Sequence, residues 1–309
     1  MQYIHYIDTD DSGYSYYEPS DSLRSLFEDT VITPFRESLP KEANIFEDYS
    51  DPDYITGLMV YVLNRGSTDF DASSSWRGKD YIPEHKVLLN GVFYMPMHLY
   101  SSYHLYNRVC RHIIESENVV FIDFGCGPLT SGIAFWAAAG QRNITYIGID
   151  ISKHMLNKAA KINTAGPFGN SDTPFYENFH RGRNFNNFPA FLNRIEKGNP
   201  GDTLILFNFS YALVSMTFQG DINESISVLH EVVQANHDYK IAIVYQNPVY
   251  DGVNQNWDKL KTEVINYPYF PGINFTAQNN TETTRVKYKR LMQGTLHSYD
   301  VSYDYFYNW

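Results

Sequence analysis

Two acidic residues bracket a glycine turn in this chain. The run Phe121-Ile122-Asp123-Phe124-Gly125-Cys126-Gly127-Pro128 is an apolar strand that reaches a carboxylate and then turns at glycine, and a second apolar run, Tyr146-Ile147-Gly148-Ile149, ends on Asp150. That order of parts is how an open α/β sheet builds a pocket for an adenosine-containing ligand. Glycine at 125 and 127 removes the Cβ, so the backbone can turn sharply and a ligand can lie against it. A dinucleotide fingerprint would place a third glycine at 130, where this chain has Thr130. Asp123 also argues against a pyrophosphate, because its charge would repel one held at the turn. A cationic ligand suits it better, and Asp150 can accept both hydrogen bonds of a ribose diol.

S-adenosylmethionine, with an ammonium and a sulfonium, meets both demands. Asp123-Phe124-Gly125-Cys126-Gly127, Asp150 and the helix opening Ile151-Ser152-Lys153-His154-Met155-Leu156-Asn157-Lys158-Ala159 resemble the class I, Rossmann-like S-adenosylmethionine-dependent methyltransferases, over about Val119 to Ala160. Leu129 departs from the pattern, since many members have a further glycine there. The resemblance implies a doubly wound, mostly parallel, seven-stranded α/β sheet under a mainly helical N-terminal cap. It implies S-adenosylmethionine as cofactor, held by Asp123, Gly125, Cys126, Gly127, Asp150, Ile151, Asn178 and Asn208, with Glu177 and Asn178 near the adenine amino group. Cys126 reads as a small filler of the turn.

Methyl transfer asks little of a protein: align the acceptor, exclude water and, where needed, take a proton. The acceptor-facing segment is Asn208-Phe209-Ser210-Tyr211 after the fourth core strand, so Asn208, Ser210 and Tyr211 are the catalytic candidates. It lacks the two prolines expected of a DNA amino-methylase. Gln246-Asn247-Pro248 can line the same opening, and His98 and His104 are candidate bases or ordinary packed histidines. Two other readings stand beside methyl transfer. Gly127-Pro128-Leu129-Thr130-Ser131 is similar to the turn of nicotianamine-synthase-like proteins, which transfer the aminocarboxypropyl group, and a binding fold can also persist as a non-catalytic cofactor sensor or assembly subunit.

The rest of the chain must position these groups. With 309 residues and 43% apolar content it can bury a large core. It shows no membrane-length apolar run and no basic-then-apolar leader at its start, so a cytoplasmic setting is expected. Its two cysteines are too few for a disulfide framework or a zinc site, so no metal is expected. The net charge is −11, and residues 1–53 hold thirteen acidic side chains against three basic ones, so all but about one net negative charge lies there. Duplex nucleic acid is disfavoured, and the acidic arm suits a basic protein partner. A small molecule or protein side chain is the favoured acceptor. The local basic clusters are His180-Arg181-Gly182-Arg183 and Arg285-Val286-Lys287-Tyr288-Lys289-Arg290.

The expected division is an acidic arm and helical cap over 1–117 and a catalytic domain over 118–309. Residues before about Ser20 read as an irregular arm, followed by a short helix ending near Pro34 and another over Ile55 to Asn64. Gly66 to Lys79 reads as a loop able to fold over a site, and Pro96 opens a helix running to about Glu115. Strands at 119–123, 145–150, 175–179, 203–209 and 240–246 alternate with helices at 131–139, 152–161, 190–197 and 222–236. Ile273 to Ala277 and Thr284 to Met292 would supply a closing hairpin, with Tyr299 to Trp309 packed back on the core.

Overall fold

The computed structural model describes residues 3–8, 16–38, 52–140, 142–166, 175–181, 187–213, 222–249, 254–266, 275–277, 281–289 and 296–309, with residues 52, 175–181 and 224 described by their backbone. The chain opens with strands β1 (Ile4–Ile7) and β2 (Tyr16–Pro19) and helices α1 (Asp21–Phe27), α2 (Thr33–Ser38) and α3 (Pro52–Gly57). A small hairpin, β3 (Ser74–Trp76) and β4 (Lys79–Tyr81), precedes α4 (Pro83–Phe93) and α5 (Met95–His104). The core then alternates β5 (Asn118–Phe124), α6 (Thr130–Ala139), β6 (Asn143–Asp150), α7 (Lys153–Ala165), β7 (Phe175–Arg181), α8 (Phe188–Arg194), β8 (Thr203–Ser210), α9 (Ile222–Ala235), β9 (Lys240–Pro248) and α10 (Gln255–Ile265). It closes with β10 (Thr276–Ala277), β11 (Glu282–Lys289) and β12 (Leu296–Tyr307).

One sheet runs β1-β2-β11-β12-β9-β8-β5-β6-β7, with β10 paired to β12. Strands β5 to β9 are mutually parallel, and β12 is antiparallel to both β9 and β11. Helical crossovers leave β5 toward β6 on one side and return to β8 on the other. The strand order therefore reverses at β5, which opens a crevice at the carboxyl ends of β5 and β8.

Alternation along each strand sorts side chains onto two buried faces. Val119 and Phe121 of β5, Ile144 and Tyr146 of β6, Leu204 and Leu206 of β8, and Ala242 and Val244 of β9 pack on the face covered by α1, α5, α6 and α7. Val120, Ile122, Phe124, Ile205, Phe207, Phe209, Ile241, Ile243 and Tyr245 pack on the opposite face with α9 and α10. Burial on both sides explains why these strands read as continuous apolar runs.

The doubly wound α/β architecture is as expected, but the sheet has ten strands rather than seven. The difference lies mainly in the N-terminal segment. Residues 4–7 and 16–19 form an antiparallel hairpin, and Tyr17 of β2 pairs with Tyr288 of β11, so the expected irregular arm extends the sheet. Ile4 and Tyr17 are buried, which gives the hairpin an apolar anchor. The sheet therefore crosses the expected boundary between 117 and 118.

Other expectations shift in similar ways. Pro34 does not end its helix: α1 runs through a wide π turn at Glu28–Ile32 into α2, and the Thr30 carbonyl, four residues before the proline that lacks an N–H, accepts from the Lys158 ammonium instead. Pro52–Gly57 likewise continues into a π turn at Leu58–Val62. The helix expected from Pro96 to Glu115 ends at His104, giving way to a π turn at Leu105–Val109 and a 3-10 turn at Arg111–Ile113. Two elements were missed at the C-terminal end. Helix α10 had a visible signal in Trp257, Leu260 and Val264, which recur at helical spacing and are all buried. The aromatic tail is strand β12, seated between β9 and β11, and its partner in the closing hairpin is β11. Ile273, Asn274 and 290–292 lie outside the described residues.

Gly132 supplies the close packing that a third fingerprint glycine would provide. A Cβ there would stand 2.7 Å from Cε2 of Tyr146 and 2.8 Å from Cδ1 of Leu129, closer than side chains approach. Gly132→Ala is therefore expected to destabilise the fold by about 1–3 kcal/mol through overpacking, against a gain of about 1 kcal/mol in helix propensity. Urea unfolding measures it. An unchanged or raised midpoint would mean that the Tyr146 ring moves aside without cost.

Candidate functional site

At the carboxyl ends of three neighbouring strands one face of the sheet turns polar. The positions that are apolar lower on β5, β8 and β9 become Asp123, Asn208 with Ser210, and Gln246, and the hydroxyl of Tyr146 from the middle of β6 joins them. Asp123 is paired across the ladder with Asn208, and Ser210 with Gln246, so these groups meet by register. Tyr146 donates its hydroxyl to Asp123 Oδ2 at 2.7 Å, and Asn208 donates Nδ2 to Oδ1 at 2.7 Å. Asn208 Oδ1 then accepts from Tyr106 at 2.8 Å and from Ser210 at 2.7 Å. Gln246 Nε2 donates to Ser210 Oγ at 2.9 Å and also to Ser102 Oγ.

Asp123 is 1% exposed, and among the described residues no cation pairs with it. Burial pushes its carboxyl up to about 7; the hydrogen bonds from Tyr146 and Asn208 work against that, and the charge of Asp150 adds to it. Asn208 and Ser210 are also buried, with their polar atoms spent inside this network. Asn208 holds Asp123 from below and Ser210 holds Asn208, and of the three catalytic candidates only Tyr211 stays partly exposed.

The glycine turn sits directly above. Gly125 and Gly127 both have left-handed φ, +66° and +53°, and the amides of Gly125 and Cys126 donate to the Ile149 carbonyl at 2.8 and 3.1 Å. A Cβ built on Gly127 would meet nothing within 4 Å, so the outer side of the turn is open. Leu129, where the family pattern has glycine, takes the same left-handed conformation at φ +71° and caps α6. Such a φ costs a non-glycine residue about 1–3 kcal/mol; here the side chain is fully buried in the core, which offsets it. Cys126 is buried and burial raises its thiol well above the usual range, consistent with a filler.

Asp150 braces this turn. Its Oδ2 accepts from Gly127 N and its Oδ1 from Ser152 N, each at 2.9 Å. A carboxylate has about four acceptor sites, and with the Ile151 amide also bonding to it, capacity for a ribose hydroxyl remains. Burial raises its pKa, with the Asp71 charge adding to it and the amides of Ser152, Gly127 and Ile151 opposing it. Ile151 follows it into α7 and is partly exposed. The backbone of Asn178 lies on β7 opposite Ile147, and the side chains of Glu177 and Asn178 lie outside the described residues, as do Gly182 and Arg183 of the first basic cluster.

One contributor had no signal in the sequence. Asp71, in the loop between α3 and β3, reaches the start of α7: its Oδ1 accepts from Ser152 Oγ and lies against His154 Nδ1, both at 2.8 Å. Burial works to raise its pKa, but these bonds and the amides of Lys153 and His154 outweigh it and hold the carboxyl well below the usual range. The loop is pinned by Lys86 of α4, whose buried ammonium donates to the carbonyls of Asp69 and Ala72 and to Ser74 Oγ. The expected site-covering loop thus docks beside the second acidic residue, and Ser152 ties it to Asp150. Nothing in local spacing connects residue 71 to residue 152.

On the other side of the turn, the Ala212 side chain would lie 3.1 Å from a Cβ on Gly125, so the end of β8 abuts the turn. Tyr211 adopts φ +60°, its amide held by the Gln246 carbonyl at 3.0 Å and its hydroxyl by Ser101 Oγ at 2.8 Å. His98 stacks on it with ring centroids 3.9 Å apart and planes 17° from parallel. Burial depresses the His98 imidazole to about 3 and raises the Tyr211 phenol well above its ordinary value. His104 is likewise lowered to about 4 by burial, with Arg108 adding to the effect, and is taken up by the Tyr17 hydroxyl at 2.8 Å. Neither candidate histidine is poised to accept a proton at neutral pH.

No protein-family model matches the chain, and no curated protein sequence matches it. Among solved structures the chain is similar to a precorrin-6y C5,15-methyltransferase from Geobacter metallireducens, with 11% identity over 65% of this chain and 85% of that one and a TM-score of 0.40. It is also similar to a magnesium protoporphyrin IX methyltransferase from Synechocystis with bound S-adenosylmethionine, with 10% identity over 84% and 98% of the two chains and a TM-score of 0.38. A third, a SAM-dependent methyltransferase from Agrobacterium tumefaciens, shares 10% identity over 75% and 68%, with a TM-score of 0.36. Among the described residues no helix is long and apolar enough to cross a membrane.

Proposed function

We propose that this protein, whose doubly wound sheet is that of the class I, Rossmann-like methyltransferase fold, is an S-adenosylmethionine-dependent methyltransferase. The observation that carries the reading is Asp123: a buried carboxylate with no cation among the described residues to balance it, lying under a glycine turn with an open outer side. Such a charge is costly unless a ligand compensates it. An ammonium and a sulfonium would do so, and a pyrophosphate would not.

In this reading Asp123 faces the methionine part, Gly125, Cys126 and Gly127 provide the backbone cradle, and Asp150 holds the ribose. Ile151 and Asn178 are assigned to the adenosine end, while Asn208 and Ser210 position Asp123. When bound, the cofactor would supply an electrophilic methyl, with the acceptor's lone pair forming the new bond and the sulfur keeping the electrons of the old one. What the protein adds is alignment and exclusion of water. Burial keeps His98 and Tyr211 neutral, so neither is assigned the role of base.

Titration calorimetry with S-adenosylmethionine and S-adenosylhomocysteine tests the reading, with micromolar binding of both expected. Absence of binding to either would overturn it. Once an acceptor is found, S-adenosylhomocysteine as product means methyl transfer, and methylthioadenosine would mean aminocarboxypropyl transfer.

A further inference from the structure

Four aromatic side chains from three separate parts of the chain line up at the carboxyl edge of the sheet. Tyr94, between α4 and α5, lies 6.1 Å from His98 of α5; His98 stacks on Tyr211 at 3.9 Å; and Tyr211 lies 6.4 Å from Tyr299 of β12. Each of the four is partly exposed, unlike the rings of Tyr100, Tyr106, Phe121 and Phe135 beneath them, which are fully buried. Tyr94 and Tyr299, at the two ends, also pack against core clusters, whereas the central pair His98 and Tyr211 belongs to none of them.

The row is held rigidly. The central ring, Tyr211, is fixed at its amide by Gln246, at its hydroxyl by Ser101 and on its face by His98, and its backbone sits at a φ that a tyrosine rarely adopts. Ser101 in turn donates to the His98 carbonyl at 3.1 Å, and the Tyr303 hydroxyl donates to the Ser101 carbonyl at 3.1 Å, so helix and strand are locked together under the stack. Backbone strain kept in place by several surrounding bonds marks a functional position.

The central pair of the row is also uncharged. The ionisable groups that bear on the Tyr211 hydroxyl are the neutral phenols of Tyr303, Tyr288 and Tyr245, and burial alone acts on His98, which stays neutral. Asp300, the acidic neighbour of Tyr299, is turned to the other face of β12 and is bound there by Arg285 through two hydrogen bonds of 2.7 Å. A carboxylate or ammonium on a substrate would find no counter-charge among these groups.

We propose that the row Tyr94–His98–Tyr211–Tyr299 is the acceptor subsite, and that it takes a small, uncharged, planar aromatic or heteroaromatic compound bearing the hydroxyl or ring nitrogen to be methylated. Stacking against fixed aromatic faces orients such a ring at little entropic cost, because the faces are already in place before it arrives. This inference rests on the methyltransferase reading, which places the methyl donor at the adjacent turn.

The test uses the full-length protein saturated with S-adenosylhomocysteine and saturation-transfer NMR with four probes. Phenol and indole represent the proposed class, and putrescine and glutarate represent charged aliphatic acceptors. Saturation transfer is expected to phenol and indole and not to the other two. It should fall at least severalfold in Tyr211→Ala and in His98→Ala, while S-adenosylhomocysteine affinity measured by calorimetry stays within about twofold of the parent. If S-adenosylhomocysteine binds but the aromatic probes do not, or bind equally well to both variants, the proposal is wrong and the methyltransferase reading survives. If S-adenosylhomocysteine itself does not bind, both fall. Should Tyr211→Ala fail to fold, Tyr299→Ala, at the edge of the row, serves in its place.

Discussion

Asp150→Ala is expected to weaken S-adenosylmethionine binding by roughly a hundredfold, and to lower the unfolding free energy by about 2–4 kcal/mol as well. The first effect follows from loss of the carboxylate proposed to hold the ribose. The second follows from the structure, where the same carboxylate accepts the amides of Gly127 and Ser152. Hydrogen bonds to a charged group are worth about 1.5–3 kcal/mol each, and a donor left buried without a partner costs a similar amount. The two consequences are separable by experiment. Calorimetry reads the affinity, and hydrogen exchange at the Gly127 and Ser152 amides reads the turn, where protection should drop even without ligand. A folded variant with undiminished affinity would remove Asp150 from the cofactor site.

Cofactor binding should release protons, and Asp123 should be their source. Its carboxyl is pushed up to about 7 by burial, so near neutral pH about half of the molecules hold a proton there when no cation is bound. A ligand carrying ammonium and sulfonium charge favours the ionised form and lowers that pKa. Around pH 6 to 7 binding is therefore expected to expel a substantial fraction of one proton, and affinity should rise with pH until the pKa is passed. Repeating the titration in buffers of different ionisation enthalpy counts the protons. Asp123→Asn should abolish the release and weaken binding by tenfold or more, while Tyr146 and Asn208 can still bond to the amide.

Stability carries the same signature with a definite sign. The folded-state pKa lies above the ordinary carboxylate value of about 3.9, so between about pH 4 and 7 the unfolded chain sheds a proton that the folded protein keeps. Stability from this group is full at low pH, declines across that window, and levels off above about 7, for a total of up to about 4 kcal/mol. Asp123→Asn removes the decline and should be more stable than the parent at about pH 8. If the variant binds with the same proton count as the parent, the linkage belongs to another group.

The glycine turn was legible because its chemistry is local. Carboxylate, glycine and apolar strand lie within a few residues of each other, and strand alternation dictates that Phe121 and Asp123 share a face. The alternating strands and helices of the core were legible for the same reason. The residues that surround Asp123 were harder to see. Asn208 and Gln246 stood out as polar endings on apolar strands, but whether they face a substrate or one another depends on register between strands far apart in sequence. They read as acceptor-facing, and the ladder instead joins them beneath the turn.

The N-terminal hairpin and β12 were obscured by a different cause. Short polar and aromatic segments such as Tyr16–Pro19 carry little periodic signal, and they become strands because an existing sheet edge offers them hydrogen-bond partners. Asp71 is the extreme case, since only the packing of α4, through Lys86, brings its loop to Ser152.

From its sequence alone, the chain determines a carboxylate-flanked glycine turn, because contiguous residues specify that geometry without outside help. Tertiary structure alone decided that Asp123 is buried and unbalanced by any described cation, that Asp150 braces the turn, and that Tyr94, His98, Tyr211 and Tyr299 form a single row. Burial, counter-charge and adjacency are properties of surroundings, and those surroundings are assembled from residues as far apart in sequence as Ser101 and Tyr303.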